Sequence, residues 1–204
     1  MFRAENLARS LAELGARPSL SIFSELKDAY AHPARYYHTA RHIADCLTLF
    51  QDVRHLATRP AEVEIALWFH DAVYDTRRQD NEEQSAEWAI RFLEEVSVAY
   101  DVSNRIARLI LATKDHVAHD ADAALITDID LCILGAPALV FDQYDSNIRR
   151  EYHWVPEEPF RQGRRQVLEG FLKRPAIYRT EYFQKHYEQQ ARRNLQRKVQ
   201  EFNV

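Results

Sequence analysis

Two histidines, His38 and His42, stand four residues apart in the stretch YYHTARHIAD. An adjacent pair, His70 and Asp71, lies in ALWFHDAVYD, and Asp128 and Asp130 lie in LITDIDLCILG. Imidazole and carboxylate together suit Mn, Fe, Co, Ni or Zn and, less readily, Mg. His70 and Asp71 are flanked by Leu67, Trp68, Phe69, Ala72 and Val73, and the two aspartates by Leu125, Ile126, Ile129, Leu131 and Ile133. A carboxylate in such surroundings is costly unless it is paired, hydrogen-bonded or bound to metal. Neither apolar stretch contains Lys or Arg, so a cation is the candidate partner. The alternative for Asp128 and Asp130 is a local cap or a bond to a neighbouring hydroxyl or amide. A further stretch, ATKDHVAHD, carries His116 and His119, which either help a second ion or phosphate or lie at the surface.

A divalent ion in such a site acidifies water and polarises a phosphoryl oxygen, which is the chemistry of phosphoester hydrolysis. Asp71 is a candidate to bridge two ions. Lys114, Arg149 and Arg164 are candidate phosphate clamps or, equally, surface cations. Glu82 and Glu83 either orient a ligand histidine or complement the first turn of a helix.

The elements that must position these residues read as helices throughout. Only 4 Gly and 7 Pro occur in 204 residues, too few turn residues for a sheet-rich fold. Apolar spacing predicts helices over 4–14, stopped by Gly15, and over 19–31, ended by Pro33. A helix from His38 to about Arg54 puts His38 and His42 on one face. Pro60 opens the next helix, which carries His70 and Asp71. Asp80 and Glu83 resemble a capping box before a helix over 81–99, and Ser103 caps 104–115. Residues 123–134 are a buried helix or strand, with helix preferred. Helices follow over 137–152, 157–173 and 179–201. The expectation is one all-α domain, a metal-site core over about 36–135 followed by C-terminal helices over 137–204.

Composition, at 46% hydrophobic and 28% charged, fits a globular chain. Cys46 and Cys132 have no ligand-like spacing and read as buried reduced thiols. The amphipathic start and the lack of any run of about 18 apolar residues point to a cytoplasmic protein without a membrane partner. Residues 1–160 carry −11, and residues 161–204 carry +7. A basic tail with Arg192, Arg193, Arg197 and Lys198 raises nucleic acid as a partner, ranked last because no basic-aromatic motif accompanies it. Tyr182, Phe183 and Tyr187 suit either a homodimer contact or the packed side of the last helix.

The order H…HD…D resembles the signature of the HD superfamily of metal-dependent phosphohydrolases over about residues 36–135. The resemblance implies an all-α fold in which His42, His70, Asp71 and Asp130 bind one or two ions. YHTARHIAD is similar to the cyclic-nucleotide phosphodiesterase pattern YHNxxHAxD, which implies His38 as general acid and His42 as ligand. Asp130-Leu131-Cys132 is similar to that branch's Asp-Leu-Ser-type sequence, which favours Asp130 over Asp128. Residues 70–76 are similar to the HDxxEDT motif of (p)ppGpp hydrolases and match it at Asp75. Tyr74 stands where that branch has glutamate, so its substrate is not carried over; Tyr74 either donates to a phosphate or packs. The chain as a whole resembles a bacterial HD family through YHTxxHI, FHDAVYD, NEEQSA, ITDIDLxILG, IRxEYxxVP and FxxGRxxVL. The expected function is hydrolysis of a phosphomonoester or phosphodiester, a nucleotide or related small molecule. The rivals are di-iron oxygenase chemistry on the same scaffold and a nucleic-acid-binding module.

Overall fold

The computed structural model describes residues 1–19 and 21–202, and among these it contains ten α-helices and no strand. The expected all-α class is therefore what forms. The chain divides into two compact units, Met1–Ile129 and Asp130–Val204.

In the first unit the helices are α1 (Ala4–Glu13), α2 (Ser21–Tyr30), α3 (Ala40–Val53), α4 (Pro60–Phe69), α5 (Asn81–Glu95), α6 (Tyr100–Asp115) and α7 (Ala121–Asp130). α4 is the centre of this unit. Every residue from Ala61 to Phe69 is buried, and α1, α3, α5 and α6 pack around it. A helix with apolar residues on every side is stable only when enclosed in this way. Pro60 occupies the first turn, as its fixed φ predicts. The Asp122 carboxylate accepts from the backbone N–H groups of Thr58 (2.7 Å) and Arg59 (3.0 Å) just before it.

The two acids of α4 are neutralised from neighbouring helices. Glu62 takes a forked bond from Arg105 (2.7 and 2.8 Å), and Glu64 lies 3.7 Å from both Arg9 and Arg54. Enclosed carboxylates require such partners.

Several local expectations are corrected. Gly15 does take the left-handed conformation that ends α1, with φ of 73°. The helix predicted over 19–31 is α2, and position 20 lies outside the described residues. Asp80 does not close a capping box with Glu83, because its carboxylate is taken by Arg78 at 2.7 and 2.8 Å. α5 stops at Glu95 rather than 99, and Ser97 reverses the chain with φ of 66°. Ser103 lies inside α6 rather than capping it, its hydroxyl donating to the Ala99 carbonyl. The helix predicted over 123–134 is α-helical only to Asp130 and then tightens into a 3₁₀ turn, Leu131–Gly135.

The second unit holds that 3₁₀ turn with α8 (Ala138–Glu151), α9 (Glu157–Lys173) and α10 (Glu181–Glu201). The turn lies against α10 so closely that a Cβ at Gly135 would be 2.8 Å from Tyr187 Cβ. Asn194 Nδ2 donates to the Leu134 and Ala136 carbonyls (both 2.8 Å), and Tyr178 donates to that of Leu131 (3.1 Å). Phe183 is fully buried, with the rings of Tyr178 and Tyr187 at 6.0 and 5.2 Å, so it lies on the packed side of α10, while Tyr182 and Tyr187 are half-buried. No single helix among the described residues is long and apolar enough to cross a membrane.

Candidate metal centre

Thr39 accepts a hydrogen bond from the Arg41 N–H, which starts α3 at Ala40. His42 is therefore in the first turn of α3, whereas His38 lies in the turn before it. The predicted shared helix face is replaced by a turn that still brings the two rings to 6.0 Å. α4 ends at Phe69. His70 is its C-cap, donating its backbone N–H to the Ala66 carbonyl, and Asp71 follows in the turn. Both residues thus leave the helix rather than sitting inside it. They stand at the end whose partial negative charge favours a cation.

Three donor atoms converge there. His42 Nε2 and His70 Nε2 lie 3.4 and 3.2 Å from Asp71 Oδ2 and 3.3 Å from each other. His70 Nδ1 is 3.0 Å from the Leu67 carbonyl oxygen, which can only accept. Nδ1 therefore donates to it, and Nε2 faces the other two donor atoms. Asp71 Oδ2 is buried and accepts no well-formed hydrogen bond. Burial pushes the Asp71 carboxyl up, but the charges of His70, His38 and His42 pull it down further when protonated, and it ends well below the usual carboxylate range. A carboxylate kept ionised beside two imidazole nitrogens is a donor set for a dication, and His42, His70 and Asp71 can hold one.

The walls are aromatic. His38 stacks on Tyr74 with ring centroids 4.0 Å apart and planes 27° apart, and Tyr37 lies 4.7 Å from His42. Buried Cys46, the expected reduced thiol, places Sγ 3.7 Å from His42 Nδ1, while Cys132, also expected to be buried, is half-buried and in no disulfide.

The loop after Asp71 is held by residues whose roles were not foreseen. Ser85 Oγ accepts from the Val73 N–H (3.0 Å) and donates to the Val73 carbonyl (3.3 Å). Asn81 bonds both the N–H and the carbonyl of Asp75, each at 3.0 Å. The NEEQSA segment is thus the clip for FHDAVYD, and a serine on the buried side of an amphipathic helix was the signal available for it. Arg35, buried in the turn after α2, is the other residue missed. It donates to the carbonyls of His38, Asp71 and Ala72.

Asp75 is exposed and accepts from the Arg77 N–H at 2.9 Å. Glu82 is half-buried. Its carboxyl is pushed up by burial and, less strongly, by the charge of Asp71. Lys114 pairs with Glu83 and donates to the Gln79 carbonyl (2.7 Å). His116 closes α6 in a left-handed conformation, with φ of 51°, and His119 is exposed, 3.6 Å from Asp120. Asp128 is fully enclosed in α7, and Asp130 ends that helix half-buried, as the first residue of the second unit.

Within the second unit, Arg149 donates to Glu157 (3.0 Å) and to the Tyr152 and Val155 carbonyls. Arg164 donates to Asp145 at 2.9 Å. The basic tail is similarly engaged. Arg192 donates to Glu188 and to the carbonyls of Leu172, Arg174 and Pro175 at the end of α9, and Arg197 to Asp142 and Glu201.

No protein-family model, curated protein or solved structure matches the chain.

Proposed function

We propose that this protein is a metal-dependent phosphohydrolase of the HD type, acting on a phosphomonoester or phosphodiester of a nucleotide or similar small molecule. The observation that carries the reading is the convergence of His42 Nε2, His70 Nε2 and Asp71 Oδ2, with the His70 tautomer set by the Leu67 carbonyl. The resemblance in motif order, and not the geometry, names Asp130 as a fourth donor. The donor set suits Mn, Fe, Co, Ni or Zn, and Mg less well.

A dication held by these residues supplies Lewis acidity toward a phosphoryl oxygen and a water that ionises near neutral pH. Asp71 keeps its negative charge at working pH and so offers its oxygen without releasing a proton first. His70 is held in orientation by the bond from Nδ1 to the Leu67 carbonyl, which aims Nε2 at the ion site. His38 is oriented by its stack on Tyr74, close to His42, and protonates the departing oxygen. Arg192 and Arg197 are committed to helix-end and ion-pair contacts in their own unit, which weakens the motive for a nucleic-acid-binding reading.

The test is protein stripped of metal, reloaded with Mn, Co, Ni or Mg, and screened against nucleoside monophosphates and cyclic and linear diesters. The expected result is metal-stimulated release of phosphate or monoester, abolished by Asp71→Ala and by Asp130→Ala. Reloaded wild type that hydrolyses none of them contradicts the proposal.

A further inference from the structure

We infer that Arg35 is a positioning residue that locks the proton donor onto the metal-binding turn; the inference rests on the reaction proposed above for its catalytic consequence, but not for its geometry. Arg35 is only 8% exposed although it lies in a turn. Nη1 donates to the His38 carbonyl (3.1 Å) and the Asp71 carbonyl (2.6 Å), and Nη2 to the Ala72 carbonyl (2.9 Å). One planar cation thus ties together two chain segments more than thirty residues apart. One segment carries His38 and the other carries Asp71.

The guanidinium carbon also lies 5.2 Å from the Tyr30 ring centroid and 5.6 Å from that of Tyr74. Tyr74 is the ring on which His38 stacks. The pin therefore acts on His38 twice, through its backbone carbonyl and through the aromatic surface that orients its ring. The carbonyls of Asp71 and Ala72 lie beyond the end of α4, where no further helical turn supplies N–H donors. A forked donor is what this arrangement requires: a lysine ammonium, a single nitrogen on a flexible stem, cannot hold the same planar set of bonds. These three bonds go to backbone carbonyls and not to the metal-donor atoms. Losing them should release His38 more than it disturbs the donor set.

Arg35→Lys and Arg35→Gln test this, each checked for folding by circular dichroism. In the cobalt-loaded protein, phenyl phosphate needs protonation of its leaving oxygen and 4-nitrophenyl phosphate does not. The expected result is a fall in kcat of about 100-fold on the phenyl ester, the scale of a lost general acid. The nitrophenyl ester should lose far less, KM should hold, and cobalt affinity should change by less than about tenfold. Equal losses on both esters, or no loss, overturn the positioning role. The second readout needs no activity. In metal-free protein, NMR of the His38 ring protons, assigned with His38→Gln, should show an upfield ring-current shift from Tyr74 that collapses in Arg35→Lys. A shift that persists overturns the proposal. If wild type turns over neither ester, the NMR shift alone decides the pin, and the phosphohydrolase reading stands or falls on its own screen of nucleotides and diesters. If neither variant folds, Arg35 belongs to the fold and not to the site, and the proposal falls.

Discussion

Ser85→Ala probes how the site is held without touching a donor atom. Ser85 is fully buried on α5, so no solvent takes over when its hydroxyl is removed. Its oxygen accepts from the Val73 N–H and its proton goes to the Val73 carbonyl. Each bond contributes about 0.5–1.5 kcal/mol net, and a backbone N–H left unpaired in the interior costs about 1–3 kcal/mol. Because the two bonds share one residue pair, the combined loss is about 2–3 kcal/mol. For a chain of this length that lowers Tm by about 4–12 °C. Urea unfolding of metal-free wild type and variant measures the loss directly. Val73 is two residues beyond Asp71, so the loosened turn should also weaken cobalt binding by about 10–100-fold, read by titration of the visible cobalt spectrum. A stability change below about 0.5 kcal/mol with unchanged cobalt affinity would refute the claim that the NEEQSA segment braces the metal turn.

The depressed pKa of Asp71 predicts a pH dependence in metal-free protein. A group held below its unfolded pKa stabilises the fold above that unfolded value, near 3.9 for aspartate, and the contribution fades as pH falls toward the folded pKa. The stability gap between wild type and Asp71→Asn, from urea unfolding, should be fully open at about pH 5 and narrow below about pH 4. A gap that stays constant or widens in acid contradicts the electrostatic picture. In the second unit, Gly135→Ala places a Cβ 2.8 Å from Tyr187 and should destabilise by about 1–3 kcal/mol in the same assay. Gly163→Ala in α9, where a Cβ meets nothing within 4 Å, should instead stabilise by about 0.5–1 kcal/mol. Opposite signs at either position would overturn the packing description.

Helix existence and order follow from apolar spacing and from punctuating residues such as Pro60 and Gly15, because burial of one face is a property of the segment itself. Helix ends do not follow so readily, because side chains near them have competing partners. Asp80 turns to Arg78 instead of capping α5, and Thr39 starts α3 after His38 rather than before it. For the site, adjacent His70 and Asp71 in apolar surroundings are enough to single out the pair. The residues that brace it are a different matter. Arg35 and Ser85 act on backbone groups far along the chain, and no local pattern encodes which carbonyl a guanidinium will reach. Lys114, Arg149 and Arg164 illustrate the converse. Each looks like a free cation for phosphate, yet each has carboxylate and carbonyl or aromatic neighbours within its own unit.

Metal binding itself is the most direct test. Isothermal titration of chelator-stripped protein with cobalt or manganese should give saturable binding at a stoichiometry of one or two ions. At about 100 times Kd, the bound ion should stabilise the fold by about 2.7 kcal/mol. His70→Ala and Asp71→Ala should lose both the heat and the stabilisation while remaining folded. Wild type that binds neither ion, or variants that bind as tightly as wild type, would contradict the assignment of His42, His70 and Asp71 as a metal centre.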